Sequence, residues 1–378
     1  MKVLFISSSS GSRGGGELYL IFLAEALINR GVEVGLWCSS NSRMDELADS
    51  FSQFGKVFRS DYKNTYDYKS RSIQYLISKT IKGVRAAIND FKPDVIHVNK
   101  QNVEDGLDLL VTLDQSKLPY VTTIHITQTE KSLGAWMGGL RDLISRKILQ
   151  KAKSGKWITI SPNRALDLVK FLGSADKVIM IPNAVKIEHN HSQDLKKEMR
   201  KSLNVPENNL VVISVGRLEQ QKDPLKFIDW AVHSLKTNSN LNFYWVGDGR
   251  LRSSFEKAVN NYNLGTQIKC TGWQKDVHPF YAMADIYVHT ATFEGLPFSL
   301  LEAMSWRLPC VVSEELYEDL TFPKDTIHKG LDALELFVNQ KDRRTKAGNQ
   351  AYDYVTKTFS IDAITNSYLS VYKMLVND

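Results

Sequence analysis

Apolar and polar positions alternate along the chain in a pattern that predicts repeated strands and helices. Short apolar runs rich in β-branched and aromatic residues, such as 3–7 and 94–98, each end in polar residues or a turn. Helical stretches lie between these runs, and such alternation indicates a parallel, doubly wound α/β sheet. Six strands are predicted in the first half of the chain, at 3–7, 32–38, 94–98, 120–125, 157–161 and 177–181.

The same pattern starts again after a polar stretch at 186–209, which we interpret as a linker. The second series of predicted strands lies at 210–216, 242–249, 267–272, 285–290 and 308–313, and two helical segments follow at 332–357 and 361–376. We therefore predict two Rossmann-like domains that face each other across a cleft, where a ligand would bind. Their predicted bounds are 1–187 and 188–360, with a C-terminal helix at 361–378 that packs back on the first domain.

The composition is that of a soluble globular protein, with 378 residues, 43% apolar and 24% charged. The net charge of +6 is too mild to indicate binding to nucleic acid. Cys38, Cys270 and Cys310 are too few for a disulfide framework, and their apolar surroundings predict buried free thiols. The longest apolar stretch, 18–28, is too short to span a bilayer, and no signal peptide is recognisable. We expect a cytoplasmic protein, unless it is held peripherally on the inner face of the plasma membrane.

The stretch 293–304 is the centre of the predicted chemistry. A buried strand at 285–290 leads into a turn that contains Gly295 and Pro297, and a helix follows. The start of that helix offers free backbone N–H groups and a positive dipole end, which suits an anion such as a phosphate. The residues predicted to form the buried side of the helix are Leu300, Leu301, Ala303 and Met304.

Two carboxylates flank this turn. Glu294 is placed at the carboxyl end of the strand, where open α/β sheets bind ligands. Glu302 lies about one turn into the helix, where a carboxylate can accept two hydroxyls of a ribose. Alternatively, Glu302 merely favours the first turn of its helix and Glu294 is a solvated loop residue.

Cations follow another predicted strand, at 210–216. Arg217 and Lys222 flank a helix start and would form a clamp for a diphosphate, although two solvated surface cations would give the same pattern. His125 closes the strand at 120–125 at the ligand-binding edge, although a lone histidine is more often structural.

The first predicted loop, 8–16, is rich in glycine. Its Gly11, Gly14, Gly15 and Gly16 let the backbone approach a ligand closely, but a merely flexible loop would look similar. The spacing differs from G-x-G-x-x-G, so a nicotinamide cofactor is not supported.

In combination these motifs resemble those of the GT-B retaining glycosyltransferases of family four, along nearly the whole chain. The matching motifs are Gly-Gly-Gly-Glu at 14–17, Ile-Pro-Asn-Ala-Val at 181–185, Val-Gly-Arg at 215–217 with Lys222, Val-Gly-Asp-Gly at 246–249, and Glu294 with Glu302. The resemblance implies transfer of a sugar from a UDP- or GDP-linked nucleotide diphosphate sugar to a glycan or lipid-linked acceptor. It implies cell-envelope polysaccharide or glycoconjugate synthesis, with 1–187 on the acceptor side and 188–360 binding the nucleotide sugar.

The resemblance also assigns roles to residues. Arg217 and Lys222 would neutralise the diphosphate, and Glu302 would hold the ribose hydroxyls. Glu294 would contact the donor sugar, and His125 would bond a sugar hydroxyl near the reaction centre. The catalytic set is thus His125, Glu294, Arg217 and Lys222. The donor-binding set is Gly15, Gly16, Arg217, Lys222, Gly272, Trp273, Glu294, Gly295, Leu296, Pro297, Phe298, Ser299 and Glu302.

No cofactor and no metal are expected. The resembled family needs none, and the chain has no Asp-x-Asp triplet. No side chain stands out as a nucleophile with an adjacent base, so the family's same-face attack, in which the leaving phosphate takes the acceptor's proton, is adopted as a hypothesis.

The chain departs from the family pattern at two places. Ala184 and Lys186 stand where a glycine and an aspartate are usual, and 313–319 replaces a glycine-rich loop, which leaves the donor contacts there and the donor's identity open. A nucleotide-sugar 2-epimerase of the same fold and a non-catalytic partner subunit are alternative functions.

The segment 133–156 combines apolar and basic residues. Leu140, Leu143, Ile144, Ile148 and Ala152 recur at helical spacing, among the basic residues Arg141, Arg146, Lys147, Lys151, Lys153 and Lys156. One interpretation is an ordinary helix that packs this apolar stripe on the first sheet. The other is an interfacial segment on an anionic membrane surface, with Trp136 in the headgroup region.

Overall fold

The computed structural model describes residues 1–11, 15–63, 81–187 and 193–377. The chain forms two compact units, one made of Met1–Ala184 with Ile361–Asp378 and the other of Val185–Ser360. The second unit thus starts at Val185, close to the boundary predicted at residue 188. Each unit is built on one parallel sheet with helices around it, so the predicted pair of Rossmann-like α/β domains is confirmed.

The first unit contains a seven-stranded parallel sheet in the order β3-β2-β1-β4-β5-β6-β7. Its strands are β1 (Lys2–Ser7), β2 (Glu33–Ser39), β3 (Lys56–Ser60), β4 (Val95–Asn102), β5 (Tyr120–Ile126), β6 (Lys156–Thr159) and β7 (Val178–Met180). Strand β3 was not predicted from the sequence. It lies at the sheet edge and is only half-buried, so charged residues interrupt its apolar pattern.

Helices connect these strands and cover the sheet. They are Gly15–Ile28, Asp45–Ser52, Lys82–Phe91, Leu107–Asp114, Gly138–Lys151 and Pro162–Leu172. The C-terminal helix Ile361–Asn377 belongs to the same unit, where the hydroxyl of Tyr372 lies 2.6 Å from Nδ1 of His97 on β4. A pair between Arg30 and Asp362, at 2.8 Å, fixes the start of this helix.

The second unit contains a six-stranded parallel sheet in the order β10-β9-β8-β11-β12-β13. Its strands are β8 (Leu210–Val215), β9 (Leu241–Val246), β10 (Ile268–Cys270), β11 (Ile286–His289), β12 (Cys310–Val312) and β13 (His328–Lys329). Its helices are Gln193–Ser202, Pro224–Thr237, Arg252–Asn261, His278–Met283, Phe298–Ser305, Glu314–Leu320, Gly330–Asn339 and Lys341–Phe359. Strand β13 has only two residues and gave no signal in the sequence.

Three sequence predictions need correction here. The supposed linker at 186–209 contains the helix Gln193–Ser202, which Lys196 and Arg200 fasten to Asp285, and its residues 188–192 lie outside the described chain. The helix predicted at 332–357 is interrupted by extended backbone at residue 340. The thiol at residue 270 is only partly buried because β10 is an edge strand, whereas the other two are buried as predicted.

Candidate functional site

Two loops meet at the carboxyl edge of the second sheet, as the sequence predicts. The hydroxyl of Thr290, just after β11, donates to the carbonyl oxygens of Lys222 and Asp223, both at 2.9 Å. The side-chain amide of Gln221 donates to the carbonyl of Phe293, also at 2.9 Å. These bonds fix the loop after β8 against the loop after β11.

The bonded loops bring Lys222 and Glu294 together. Nζ of Lys222 is ion-paired with Oε1 of Glu294, and both side chains are largely buried, with 15% and 12% exposed. Burial alone would raise the pKa of Glu294, but Lys222 and then His289 outweigh it and lower this pKa to about 2. Glu294 is therefore ionised at neutral pH and forms an ion pair with Lys222.

His289 completes this cluster and was not among the predicted site residues. Its Nε2 lies 3.4 Å from Oε1 of Glu294, and its Nδ1 lies 2.7 Å from the hydroxyl of Tyr287. Burial and then Lys222 lower the pKa of His289, so the imidazole is neutral. A signal existed in the sequence, because His289, like His125, is one of the last two residues of a strand at the ligand-binding edge.

Glu302 lies on the next helix and has one oxygen engaged. The hydroxyl of Tyr281 donates to its Oε2 at 2.8 Å and to the carbonyl of Ser299 at 3.1 Å. Burial raises the pKa of Glu302 and outweighs the opposite effect of this hydrogen bond. Within the described chain, Oε1 of Glu302 has no hydrogen-bond partner, so it can accept a hydrogen bond from a ligand.

The helix Phe298–Ser305 starts without a side-chain cap at Pro297. The amides of Leu300 and Leu301 donate to the carbonyl of Pro297, at 3.2 and 3.3 Å, so the N–H groups that precede them and the positive dipole end provide the anion-binding capacity that the sequence predicts. The predicted site residues Gly295, Leu296, Pro297 and Phe298 are all buried at this turn. The predicted buried side is confirmed at Leu300, Leu301, Ala303 and Met304.

Glycines allow three turns of the second sheet to lie close together. Gly247, at a φ of 141°, donates its amide to the carbonyl of Gly272 at 3.0 Å, and a Cβ there would collide with the carbonyl oxygen of Gly216. Arg217 follows Gly216 and is exposed, and Trp273 follows Gly272 with 49% of its surface exposed. Both side chains therefore lie where a ligand could reach them.

The segment 313–319, which departs from the family pattern, has an ordinary structural role. The hydroxyl of Ser313 caps the helix Glu314–Leu320 by accepting from the amide of Leu316 at 3.3 Å. Glu315 pairs with Lys226 at 3.1 Å. A capped helix thus starts where the resembled family has its glycine-rich loop.

A second group of predicted residues lies in the first unit. Nε2 of His125 is 2.8 Å from Oδ1 of Asn99, and Nδ2 of Asn99 donates to the carbonyl of Gly16 at 2.8 Å. Burial lowers the pKa of His125 to about 4, so its imidazole is neutral at neutral pH. Gly15 begins the adjacent helix, whereas Gly14 lies outside the described residues. Asn99 was missed because its partner at Gly16 is 83 positions away.

Only part of the predicted apolar stripe of the helix Gly138–Lys151 is buried: Ala152 lies in the core and Ile148 packs against it. The residues that this helix buries are Gly138, Arg141, Ser145 and Leu149. Leu140 and Leu143 instead point outward, about half exposed. They belong to what we call the apolar surface patch, whose members and exposed fractions are Leu133 (39%), Trp136 (63%), Met137 (47%), Leu140 (49%) and Leu143 (48%).

A buried ion network explains why Leu140 and Leu143 are exposed. The guanidinium of Arg141 pairs with Glu104 at 2.5 Å and with Glu130 at 2.8 Å, and the side chain also donates to the carbonyl of Trp136 at 3.2 Å. The buried carboxylates require their cation, because an unpaired buried charge is very costly. The helix therefore turns Arg141 inward, and Leu140 and Leu143 face solvent.

Two features are absent within residues 1–11, 15–63, 81–187 and 193–377. There, no three His, Cys, Asp or Glu side chains are grouped so that they could hold a metal ion. Over the same ranges, no helix has the length and apolar character needed to cross a membrane.

Two family models match the chain in succession. The one described as Glycosyltransferase Family 4 matches residues 13–189, and the one described as Glycosyl transferases group 1 matches residues 196–318. Solved structures of HepE from Anabaena, in complex with UDP and with UDP-glucose, superpose with a TM-score of 0.78 at 18% identity, covering 99% of this chain and 100% of theirs. At that identity the likeness shows the fold, which is GT-B.

Curated relatives match over shorter regions. A UDP-Gal:α-D-GlcNAc-diphosphoundecaprenol α-1,3-galactosyltransferase from Escherichia coli is 33% identical over 141 residues, or 36% of each chain. A GalNAc-α-(1→4)-GalNAc-α-(1→3)-diNAcBac-PP-undecaprenol α-1,4-N-acetyl-D-galactosaminyltransferase from Campylobacter jejuni is 30% identical over 224 residues, covering 54% of this chain and 59% of the relative. Both matches span less than two thirds of the relative's length.

Proposed function

We propose that the chain transfers a sugar from a nucleotide diphosphate sugar to a lipid-linked or glycan acceptor. The proposal starts from its GT-B fold and its resemblance to the glycosyltransferases of family four. The observation that carries this proposal is the cluster of Lys222, Glu294 and His289 beside the uncapped start of the helix Phe298–Ser305. This cluster combines a cation and helix N–H groups, which suit a phosphate, with an ionised carboxylate, which can accept hydrogen bonds from sugar hydroxyls.

In this proposal each side chain has a separate task. Lys222 and the exposed Arg217 neutralise the diphosphate, helped by the helix start. Glu294, fixed by Lys222, accepts hydrogen bonds from the donor sugar, and Oε1 of Glu302 accepts from the ribose. His125, in the first unit, binds a sugar hydroxyl near the reacting carbon.

The proposed reaction retains the configuration of the anomeric carbon and uses no metal. The bond from the anomeric carbon to the leaving phosphate oxygen breaks while the acceptor oxygen bonds to the same face. The acceptor's proton passes to an oxygen of the leaving diphosphate. Glu294 is ion-paired with Lys222 and serves as an electrostatic and hydrogen-bonding group. Lys222 and Arg217 supply the positive charge that stabilises the negative charge developing on the leaving diphosphate in the transition state.

The relatives support a UDP-linked donor, with a GDP-linked one as the other choice, and an acceptor on a lipid diphosphate. The Escherichia coli relative is named for UDP-Gal and for a diphosphoundecaprenol acceptor, and the Campylobacter jejuni relative for an acceptor on PP-undecaprenol. The HepE structures contain UDP and UDP-glucose. We therefore place the proposed activity in the synthesis of cell-envelope polysaccharide or glycoconjugates, at the cytoplasmic face of the membrane.

The first test is titration of the purified chain with a panel of UDP- and GDP-linked sugars, by calorimetry in excess EDTA. We expect one donor class to bind, and Arg217→Ala to weaken that binding without changing thermal unfolding, since the residue is exposed. Lys226→Ala is the matched control, because this cation pairs with Glu315 at the surface. Failure of every nucleotide sugar to bind, or equal losses in both variants, would contradict the proposal.

We further propose that the chain reaches a lipid-linked acceptor by resting on anionic lipid through the apolar surface patch. Trp136 is 63% exposed, and the exposed Lys147 lies one helical turn beyond Leu143 on the same face. The exposed Lys131 lies near the start of the same helix, beside Gly139. Apolar side chains ringed by cations suit the boundary between acyl chains and anionic headgroups.

Co-sedimentation with vesicles tests the membrane proposal. We expect binding to phosphatidylglycerol vesicles that salt weakens, since each basic side chain near the surface contributes about 1 kcal/mol. Replacing both Trp136 and Leu140 by Ser should weaken binding roughly tenfold or more, because each half-exposed side chain entering the lipid contributes about 1 kcal/mol. The control is Leu225→Ser, which changes a leucine that is 42% exposed in the second unit. Binding that ignores lipid charge, or equal losses in both variants, would contradict this surface.

A further inference from the structure

Asn99 occupies a central position among the candidate residues of the first unit. It lies on β4, and its side chain contacts both His125 on β5 and the backbone of Gly16, at the start of the helix Gly15–Ile28. Both contacts measure 2.8 Å. A single amide therefore joins the predicted histidine to the predicted glycine turn.

The chemistry of these contacts fixes where the protons are. The carbonyl oxygen of Gly16 can only accept a hydrogen bond, so the atom of Asn99 that faces it must be the NH₂ group. The other end of the amide is then the oxygen Oδ1, which can only accept, so Nε2 of His125 must donate. A neutral imidazole has one N–H, and Nδ1 of His125 is therefore unprotonated.

We propose that Asn99 is a positioning residue that holds His125 in its Nε2–H form and joins it to the backbone at Gly16, so that Nδ1 is presented as a hydrogen-bond acceptor for a sugar hydroxyl. Within the described chain, Nδ1 of His125 has no hydrogen-bond partner. Burial keeps the pKa of His125 at about 4, so the ring does not protonate at neutral pH and lose this acceptor. The sugar hydroxyl in this proposal rests on the proposed function, whereas the position of the proton does not.

Neighbouring side chains on the same face of β4 support a rigid arrangement. Positions 97, 99 and 101 alternate along the strand and share one face. His97 is held between the hydroxyls of Tyr372 at 2.6 Å and Thr123 at 2.8 Å, and Gln101 donates to Glu17 at 2.8 Å. The side chain of Gln101 also lies against Gly16, because a Cβ there would be 2.7 Å from its Nε2. The start of the helix is thus fixed from β4 at two points.

Nitrogen NMR of ¹⁵N-histidine-labelled protein tests the position of the proton directly. We expect the wild-type spectrum to show His125 with a protonated Nε2 and an unprotonated Nδ1. Asn99→Leu removes the acceptor, so a mixture of both tautomers should appear. Asn99→Asp keeps an acceptor and adds a charge, so the Nε2–H form should persist while the pKa of His125 rises. Thr122→Val, which removes a buried hydroxyl from β5 that does not touch His125, is the control and should leave the spectrum unchanged.

A wild-type His125 with its proton on Nδ1, or an Asn99→Leu spectrum identical to wild type, would overturn the proposal whether or not the chain transfers sugar. Kinetics test the sugar hydroxyl. Asn99→Leu should lower kcat/KM by about tenfold to a hundredfold, the usual effect of a lost buried hydrogen bond, and Thr122→Val should not. Equal kcat/KM values in both variants, with the tautomer shifted only in Asn99→Leu, would overturn the hydroxyl contact. Absence of transfer by the wild-type protein would instead refute the proposed function, and the NMR result would still decide the position of the proton.

Discussion

Replacing Lys222 by Met should destabilise the second unit, apart from any effect on catalysis. In the folded chain Lys222 neutralises Glu294, whose side chain is only 12% exposed. Methionine keeps the length of the side chain, which lies alongside Gly216, but removes the charge. Glu294 would then be a buried carboxylate without Lys222, beside the neutral His289.

The size of this effect follows from the titration of Glu294. Burial would raise its pKa, and Lys222 is the largest cause that lowers it, from the ordinary 4.5 to about 2. At about 1.4 kcal/mol per pH unit, this difference corresponds to ~3 kcal/mol of stability. Breaking a buried ion pair typically costs about 3–5 kcal/mol, which agrees. Because the folded-state pKa is lowered, the contribution is complete above pH 4.5 and is lost as the pH falls towards 2.

The assay is urea unfolding, monitored by the hydrogen exchange of peptides from the second unit. Peptides from the first unit serve as the internal reference. At pH 7 we expect Lys222→Met to lose ~3 kcal/mol, and Lys222→Met with Glu294→Gln to recover most of it. The loss should shrink at pH 4, where the unpaired Glu294 becomes protonated. Lys226→Met is the control, since its partner Glu315 is 54% exposed and such a pair contributes under about 1 kcal/mol. Wild-type stability of Lys222→Met at pH 7, or no recovery in the double variant, would refute this reasoning.

Three further predictions concern the same unit. Glu302→Gln should weaken donor binding by about 1–3 kcal/mol in calorimetry. Its stability in urea should not fall, because burial already disfavours the charge of Glu302. Unchanged donor affinity would exclude the ribose contact. Tyr281→Phe removes a hydrogen bond that lowers the pKa of Glu302, so the fall in donor affinity at acid pH should begin at a higher pH, and an unshifted profile would contradict this assignment. Gly247→Ala should cost about 1–3 kcal/mol or more in urea unfolding, because its positive φ and the nearby carbonyl of Gly216 leave no room for a Cβ, and wild-type stability would show that the turn adjusts freely.

The sequence was sufficient for the fold because its central strands are long apolar runs. All eleven predicted strands are present, and β3 and β13 were missed because one is a half-buried edge strand and the other has two residues. Glycine and proline positions also predicted where the helix after Pro297 starts. These are local signals, and local signals are what a single sequence carries.

Contacts between distant positions could not be predicted in the same way. Tyr281 and Glu302 are 21 positions apart, and nothing near Tyr281 announces its hydrogen bond. The predicted burial of Leu140 and Leu143, on the helix Gly138–Lys151, was wrong for a related reason. Periodicity favoured burying Leu140 and Leu143, but the buried Glu104 and its partners require Arg141 on the inner face.

The most direct test of the central claim is to follow a nucleotide sugar labelled with ¹³C at its anomeric carbon by NMR, in excess EDTA, with a lipid diphosphate acceptor. We predict that the donor signal is replaced by that of a glycoside with the same anomeric configuration, only when acceptor is present, and that Arg217→Ala slows this conversion by about a hundredfold. A glycoside of inverted configuration would contradict retention, and a requirement for added metal would contradict the metal-free mechanism. A product epimerised at C2, or a donor that stays unchanged with every acceptor tried, would contradict glycosyl transfer itself.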